Sequence, residues 1–190
     1  EDDVMEISVA AYVPALGYKV VDVRYTTEPC KMKTGLRANT NVIENFKYVV
    51  RVDANGDIHS ITDKMNNNAE ILKKPIRFEL NKYKGAKEYA AWELRYDELD
   101  KYPWEFAEKG QCEIIEKGPV RVSLKVTQKC QKSTFSYIVS LAAGCPWVSV
   151  YNEVEWREFR RALHNGFCFN VSNKRGTFDL GLGAINRKTA

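Results

Sequence analysis

Histidine is scarce in this chain. Only His59 and His164 occur among 190 residues. They stand far apart, with no H-x-x-H, H-x-D or H-E-x-x-H spacing to bring two imidazoles to one metal ion. A complete zinc site from this chain alone is therefore not expected. The five cysteines, Cys30, Cys112, Cys130, Cys145 and Cys168, form no C-x-x-C pair, which argues against a zinc knuckle or a thioredoxin-like site. Their odd number and apolar settings, as in Gly166-Phe167-Cys168-Phe169, predict buried free thiols and favour a reducing, cytoplasmic compartment. No apolar run reaches about 18 residues, so no membrane span is expected. The start, Glu1-Asp2-Asp3, lacks the basic and apolar regions of a signal peptide and reads as a fragment boundary. No G-x-S-x-G elbow, P-loop or G-x-G-x-x-G is present. Gly181-Leu182-Gly183 reads as a strand irregularity.

Charge of one sign is not concentrated either. The net charge is +4, and Lys and Arg are scattered among Asp and Glu. The densest basic stretch, Lys31, Lys33 and Arg37, is interrupted by Met32 and Leu36. A solvated surface rather than a nucleic-acid face follows. Hydrophobic residues make up 44% and charged residues 28%, the balance of a globular domain large enough to bury a core without disulfides.

What is present is period-2 patterning. Val120-Arg121-Val122-Ser123-Leu124-Lys125-Val126-Thr127 alternates apolar and polar residues throughout, as a strand with one buried face requires. Phe135, Tyr137, Val139 and Leu141 repeat the pattern after a polar break over 128–134, predicting adjacent antiparallel strands. Val148, Val150, Val154 and Trp156 predict one face of the next strand, with Trp156 in the core. Phe167, Phe169 and Val171 mark another, and Phe178, Leu180 and Leu182 a last one. Near the start, Met5, Ile7 and Val9 alternate, and 18–25 predicts a further strand. Between 43 and 64 lies a hairpin whose Asn55-Gly56 tip predicts a type I′ turn, with φ > 0 at both residues. Helix signals are few: 87–94 and 156–163 could each make two turns, without convincing caps. Many short strands between turn signals predict an all-β, antiparallel β-sandwich.

Residues 82–107 form a long, aromatic-rich stretch with little strand pattern, and such stretches are more often functional than connecting. Trp92, Trp104, Tyr89, Tyr96 and Tyr102 crowd it. Their rings can stack on sugars or pack the loop onto the sheet; packing is expected of Trp104, and both roles stay open for Trp92. Asn170-Val171-Ser172 fits a glycosylation sequon but lies in strand-like text. Carboxylates are plentiful, and nothing in their spacing singles out a catalytic pair.

Several segments in order carry a resemblance. They are Val13-Pro14-Ala15-Leu16-Gly17-Tyr18; Ile43-Glu44-Asn45 through Asp63-Lys64, with Val52-Asp53 and Asn55-Gly56 between; Ala91-Trp92-Glu93-Leu94; Glu116-Lys117-Gly118-Pro119-Val120-Arg121; Lys132-Ser133-Thr134 with Leu141-Ala142-Ala143-Gly144; Glu153-Val154-Glu155-Trp156-Arg157-Glu158; and 178–189. From about Val13 to Thr189 the chain resembles the β-sandwich region that follows the catalytic domain in glycoside hydrolase family 38, the class II α-mannosidases. It departs from the family pattern at Ala90, Glu155, 164–168 and 186–189.

The resemblance implies a galactose-mutarotase-like supersandwich, partial in this chain, with lead-in strands and a linker over 1–42 and the sandwich over 43–190. It implies as partners the N-terminal catalytic and helical domains of the same protein and a mannoside substrate. Zinc and the nucleophilic aspartate are implied for the catalytic domain, with no catalytic residue, metal ligand or cofactor in this fragment. The fragment is then non-catalytic, supporting the catalytic domain and lending a loop to the active-site rim. Trp92 and Arg187 are the substrate-rim candidates, Arg187 because a cation there can pair with a catalytic-domain carboxylate. The alternatives are an independent carbohydrate-binding β-sandwich and a mutarotase-like epimerase; the latter needs a histidine and a carboxylate across one sugar ring.

Overall fold

A computed structural model describes residues 6–83, 89, 92, 93, 95, 97 and 101–188. Among these, the strands in chain order are β1 (Arg37–Asn39), β2 (Val42–Glu44), β3 (Tyr48–Val52), β4 (Ile58–Asp63), β5 (Ala69–Glu70), β6 (Arg77–Lys82), β7 (Glu105–Phe106), β8 (Glu108–Lys117), β9 (Arg121–Cys130), β10 (Ser133–Ala142), β11 (Ser149–Glu155), β12 (Arg161–Gly166), β13 (Arg175–Asp179) and β14 (Ala184–Lys188). The first five form one sheet in chain order. A second sheet runs β11-β10-β9-β8, a third β12-β6-β7, and β13 pairs with β14. Every ladder is antiparallel. The fold is the all-β antiparallel sandwich that the alternation predicts.

The core lies between the first two sheets and continues under the third. Ile43, Val50, Val52, Ile58 and Ile61 face Val122, Leu124, Val126, Phe135, Tyr137, Val139 and Leu141, with Phe78 and Leu80 closing one end. In β10 burial alternates from Ser133 to Ala142 without a break. Each fully buried side chain of this kind stabilises the fold by about 1.5–3 kcal/mol. Phe78 and Phe135 bring their ring centroids to 5.0 Å, joining the third sheet to the second.

Two devices hold the sheets in register. Asn45, buried at the β2–β3 turn, accepts the N–H of Lys47 and of Tyr48 on Oδ1, at 2.9 and 2.7 Å. Its Nδ2 donates to the carbonyls of Ala142 and Cys145 at the end of β10. Lys64 Nζ closes the same corner on Glu44 Oε1 (2.6 Å) and the Asn45 carbonyl (2.8 Å). At the other end, the β3–β4 tip is driven into the second sheet. The Gly110 N–H donates to the Asn55 carbonyl at 3.0 Å, Gln128 Nε2 donates to the same carbonyl at 2.8 Å, and the Tyr137 hydroxyl donates to the Gly56 carbonyl at 2.8 Å. A Cβ on Gly110 would lie 2.5 Å from Gly56 Cα and 2.6 Å from the Asn55 carbonyl oxygen. Only two facing glycines permit that approach.

The structure corrects several expectations. The tip is not type I′. Gly56 has φ 87°, but Asn55 is absent from the positive-φ residues. The Gly56 N–H closes a turn on the Asp53 carbonyl, and Asp53 Oδ1 accepts the N–H of Asn55 and of Asp57. This is a three-residue loop, Ala54-Asn55-Gly56, closed by the Asp53 N–H on the Asp57 carbonyl and ending in a left-handed glycine. The strands expected around Ile7 and Val9 and over 18–25 do not form: residues 6–36 lie outside any strand and are almost wholly exposed. The helix expected over 156–163 is absent, its place taken by the link from β11 into β12. Trp156 follows β11, is 39% exposed and meets Phe135 edge-on at 6.4 Å. Phe167, Phe169 and Val171 are exposed outside any named strand, and so is Asn170 of the sequon. All five cysteines are free, yet only Cys130 is buried and Cys30 is exposed. The helix expected over 87–94 falls for the most part outside the described residues, as do Met5, Tyr96 and Thr189.

The glycine contact has a measurable consequence. Gly110→Ala and Gly56→Ala are each expected to lower stability by about 2–4 kcal/mol in chemical denaturation: the methyl group on Gly110 meets only backbone of the tip, and that on Gly56 meets the Gly110 backbone and the buried Val126 side chain at a left-handed position. Gly144→Ala, with φ 75° and nothing within 4 Å of the added Cβ, is expected to cost only the left-handed penalty of about 1–2 kcal/mol.

Candidate functional site

The long strands of the second sheet leave their outward residues free to build a surface. A cleft of about 530 Å³ opens there, floored by Ile115 and Ile138 and flanked by Ser140, Tyr151, Glu116 and Arg121. The Gly118-Pro119 break folds β8 back onto β9, so Glu116 stands opposite Ser123. Arg121 then grips Glu116 with both guanidinium arms, Nε and one terminal nitrogen each donating at 2.6 Å. The Ser123 hydroxyl donates to the same carboxylate and lies 2.8 Å from Ser140 Oγ. A polar relay thus crosses β8, β9 and β10. Glu6, from the segment preceding the sheets, lines the same cleft and adds its charge to hold the Arg121 proton.

These partners decide what Glu116 can do. The Arg121 guanidinium, helped by the Ser123 hydroxyl, holds its carboxyl below the usual glutamate range. A glycosidic general acid needs the opposite, a carboxyl kept protonated by burial or by a like charge. Glu116 is arranged to accept hydrogen bonds. With the exposed Tyr151 ring beside it, the cleft can recognise a polar ring compound, and Glu116 has no proton to deliver.

The rim candidates lie elsewhere. Trp92 is 83% exposed. Its N–H closes a turn on the Tyr89 carbonyl, and the two rings stack at 5.7 Å with 17° between their planes. Arg187 lies in β14, opposite Gly176, on an exposed hairpin. No hydrogen bond or ring contact joins Trp92 to Arg187 among the described residues. Trp104 packs edge-on against His164 at 4.9 Å, the packing role expected of it. His164 stands opposite Glu79 in the β12–β6 ladder, while His59 is exposed on β4.

Among the described residues no group of three or more His, Cys, Asp or Glu is placed to hold a metal ion. The Glu116–Arg121–Ser123 relay was not singled out in the sequence.

Because the Glu116 carboxyl titrates lower in the folded chain than in the unfolded one, its stabilisation is complete above the ordinary glutamate value. It is lost as pH falls through the depressed one. Both side chains are about one-third exposed, so solvent screens the pair. Glu116→Gln is expected to lower stability by about 0.5–1 kcal/mol at neutral pH. Acid denaturation followed across pH should show the difference from the parent chain shrinking as pH drops.

A family profile described as the glycosyl hydrolases family 38 C-terminal domain matches residues 43–190. The match begins at Ile43, the buried centre of β2, and takes in the tip, the relay and the β13–β14 hairpin. A search of curated proteins returns no match.

Proposed function

From a chain that belongs to glycoside hydrolase family 38, as its C-terminal domain, we propose a non-catalytic supporting role in a retaining α-mannosidase. In this reading the sandwich buttresses the catalytic and helical domains of the same protein, which hydrolyse the α-mannoside. The observation that carries it is the run of exposed apolar side chains that follows β12 in the chain: Phe167, Phe169, Val171, Phe178, Leu180 and Leu182 are each about half exposed or more. Apolar groups in such number mark a surface made to be covered by protein. Trp92 and Arg187 are the residues lent to the substrate rim, an exposed ring and an exposed cation respectively.

The test is kinetic. In the full-length parent enzyme, Trp92→Ala is expected to lower kcat/KM on an α-mannoside by about tenfold, through the loss of one aromatic contact of about 1.4 kcal/mol. Arg187→Gln should act in the same direction. If kcat/KM and stability are both unchanged in Trp92→Ala, Trp92 has no place on the rim.

A second reading, an independent carbohydrate-binding module, is favoured by the stacked and exposed Tyr89–Trp92 pair. Titration of mannobiose against the 190-residue chain separates the two. Saturable binding lost in Trp92→Ala supports the module, and silence supports the buttress.

A further inference from the structure

A second cleft, of about 320 Å³, lies where β6 ends and β12 begins, lined by Lys82, Tyr83, Tyr102, Phe159, Arg160 and Arg161. Its walls follow from the ladder. Arg161 stands opposite Lys82, and one step further the Tyr83 N–H donates to the Arg160 carbonyl at 2.9 Å. That bond holds Arg160 in place with φ 51°, a left-handed conformation uncommon outside glycine and costly to maintain. Immediately before this turn, Phe159 projects to 83% exposure, and the Arg160 guanidinium lies 5.4 Å from the centre of its ring.

The charges are unevenly spent. Arg161 is 13% exposed and is held by Glu105 at 2.6 Å and Glu158 at 3.5 Å. Glu158 also accepts the Lys132 N–H at 2.7 Å and the Ser133 hydroxyl at 2.9 Å. The two neighbouring carboxylates are therefore committed to Arg161, which becomes the fixed wall of the cleft. Lys82 and Arg160 make no ion pair among the described residues. Two cations with no carboxylate partner among the described residues, beside three rings, are a poor surface for water alone and a good one for a flat-faced anion. The C–H face of a sugar stacks on a phenyl ring, and a guanidinium takes a phosphate or carboxylate with paired hydrogen bonds. The volume sits at the lower end of the ~300–1,000 Å³ range of small-molecule sites, room for about one sugar unit.

We infer that this cleft binds an anionic monosaccharide unit, a sugar bearing a phosphate or carboxylate group, with Phe159 as the stacking platform and Arg160 and Lys82 as the anion partners. The inference does not rest on the buttress reading, since it concerns a face and residues that reading leaves unused.

The 190-residue chain is titrated by calorimetry at low salt with mannose 6-phosphate, glucuronate, mannose and inorganic phosphate. At least one of the two charged sugars is expected to bind tenfold or more tightly than both mannose and inorganic phosphate, and to weaken as salt is raised. Which one binds identifies the anion. Phe159→Ala should abolish the binding. Arg160→Gly is the sharper variant, because glycine adopts the left-handed conformation freely. It should melt no lower than the parent chain and still lose binding tenfold or more. Mannose binding as tightly as the charged sugars, inorganic phosphate binding as tightly as the sugar phosphate, no binding by either charged sugar, or full binding by a folded Arg160→Gly variant would each overturn the inference.

Discussion

The two sheets of this domain are locked by a contact between two glycines. A sandwich of long antiparallel strands can slide, because apolar side chains on facing sheets accept more than one register. Here the β3–β4 tip enters a gap in the second sheet where Gly56 and Gly110 bring backbone against backbone. The gap exists because β8 shifts register between Glu108 and Gln111, with Lys109 left-handed at φ 57°. An extra residue bends the strand away and opens room for the tip. Gln128 and Tyr137, both reaching from inward positions of their strands, then satisfy the carbonyls of Asn55 and Gly56. A tip carbonyl in that position without a donor would cost about 1–3 kcal/mol. The same burial that makes those bonds strong pushes the Tyr137 phenol far above its usual range, so it remains a donor at any working pH.

With the register set from both ends, by Asn45 at one corner and the glycine pair at the other, the surfaces become dependable platforms. Glu116, Arg121, Ser123 and Ser140 meet because three neighbouring strands are held in one alignment. The second cleft depends on the third sheet, and that sheet is tied to the same core through Phe78 against Phe135 and Tyr137. A domain so fixed suits the buttress role proposed for it: it offers formed surfaces to partners and ligands.

Alternation was the most legible signal. In β9 and β10 the residues expected inside are inside, from Val122 to Leu141, because a buried face imposes period two and little else competes with it. The hairpin over 43–64 was legible as a hairpin, but its turn was misread. Asn-Gly admits several loops, and the choice was made by Asp53 capping the tip and by the second sheet receiving it. The lead-in segment has the same alternation as a strand, yet a strand needs a ladder to join, and residues 6–36 enter none among the described residues. Trp156 was read as core from its position two residues after Val154; the strand ends between them, and the ring only caps the edge of Phe135. Of the site, the Trp104 packing was legible. The Glu116 relay and the Phe159–Arg160 turn were not, because each depends on cross-strand register that composition does not carry.

Native-state hydrogen exchange at the Gly110 amide tests the central claim most directly, since that N–H is bonded to the Asn55 carbonyl across the sheet-to-sheet contact. If the glycine pair is the lock, Gly110 exchanges only when the whole domain unfolds, with the same opening free energy as Leu124 and Val126 in the centre of β9. Exchange at Gly110 through a local opening well below that free energy, while β9 stays protected, would show that the tip leaves the second sheet without unfolding the sandwich and would contradict the account.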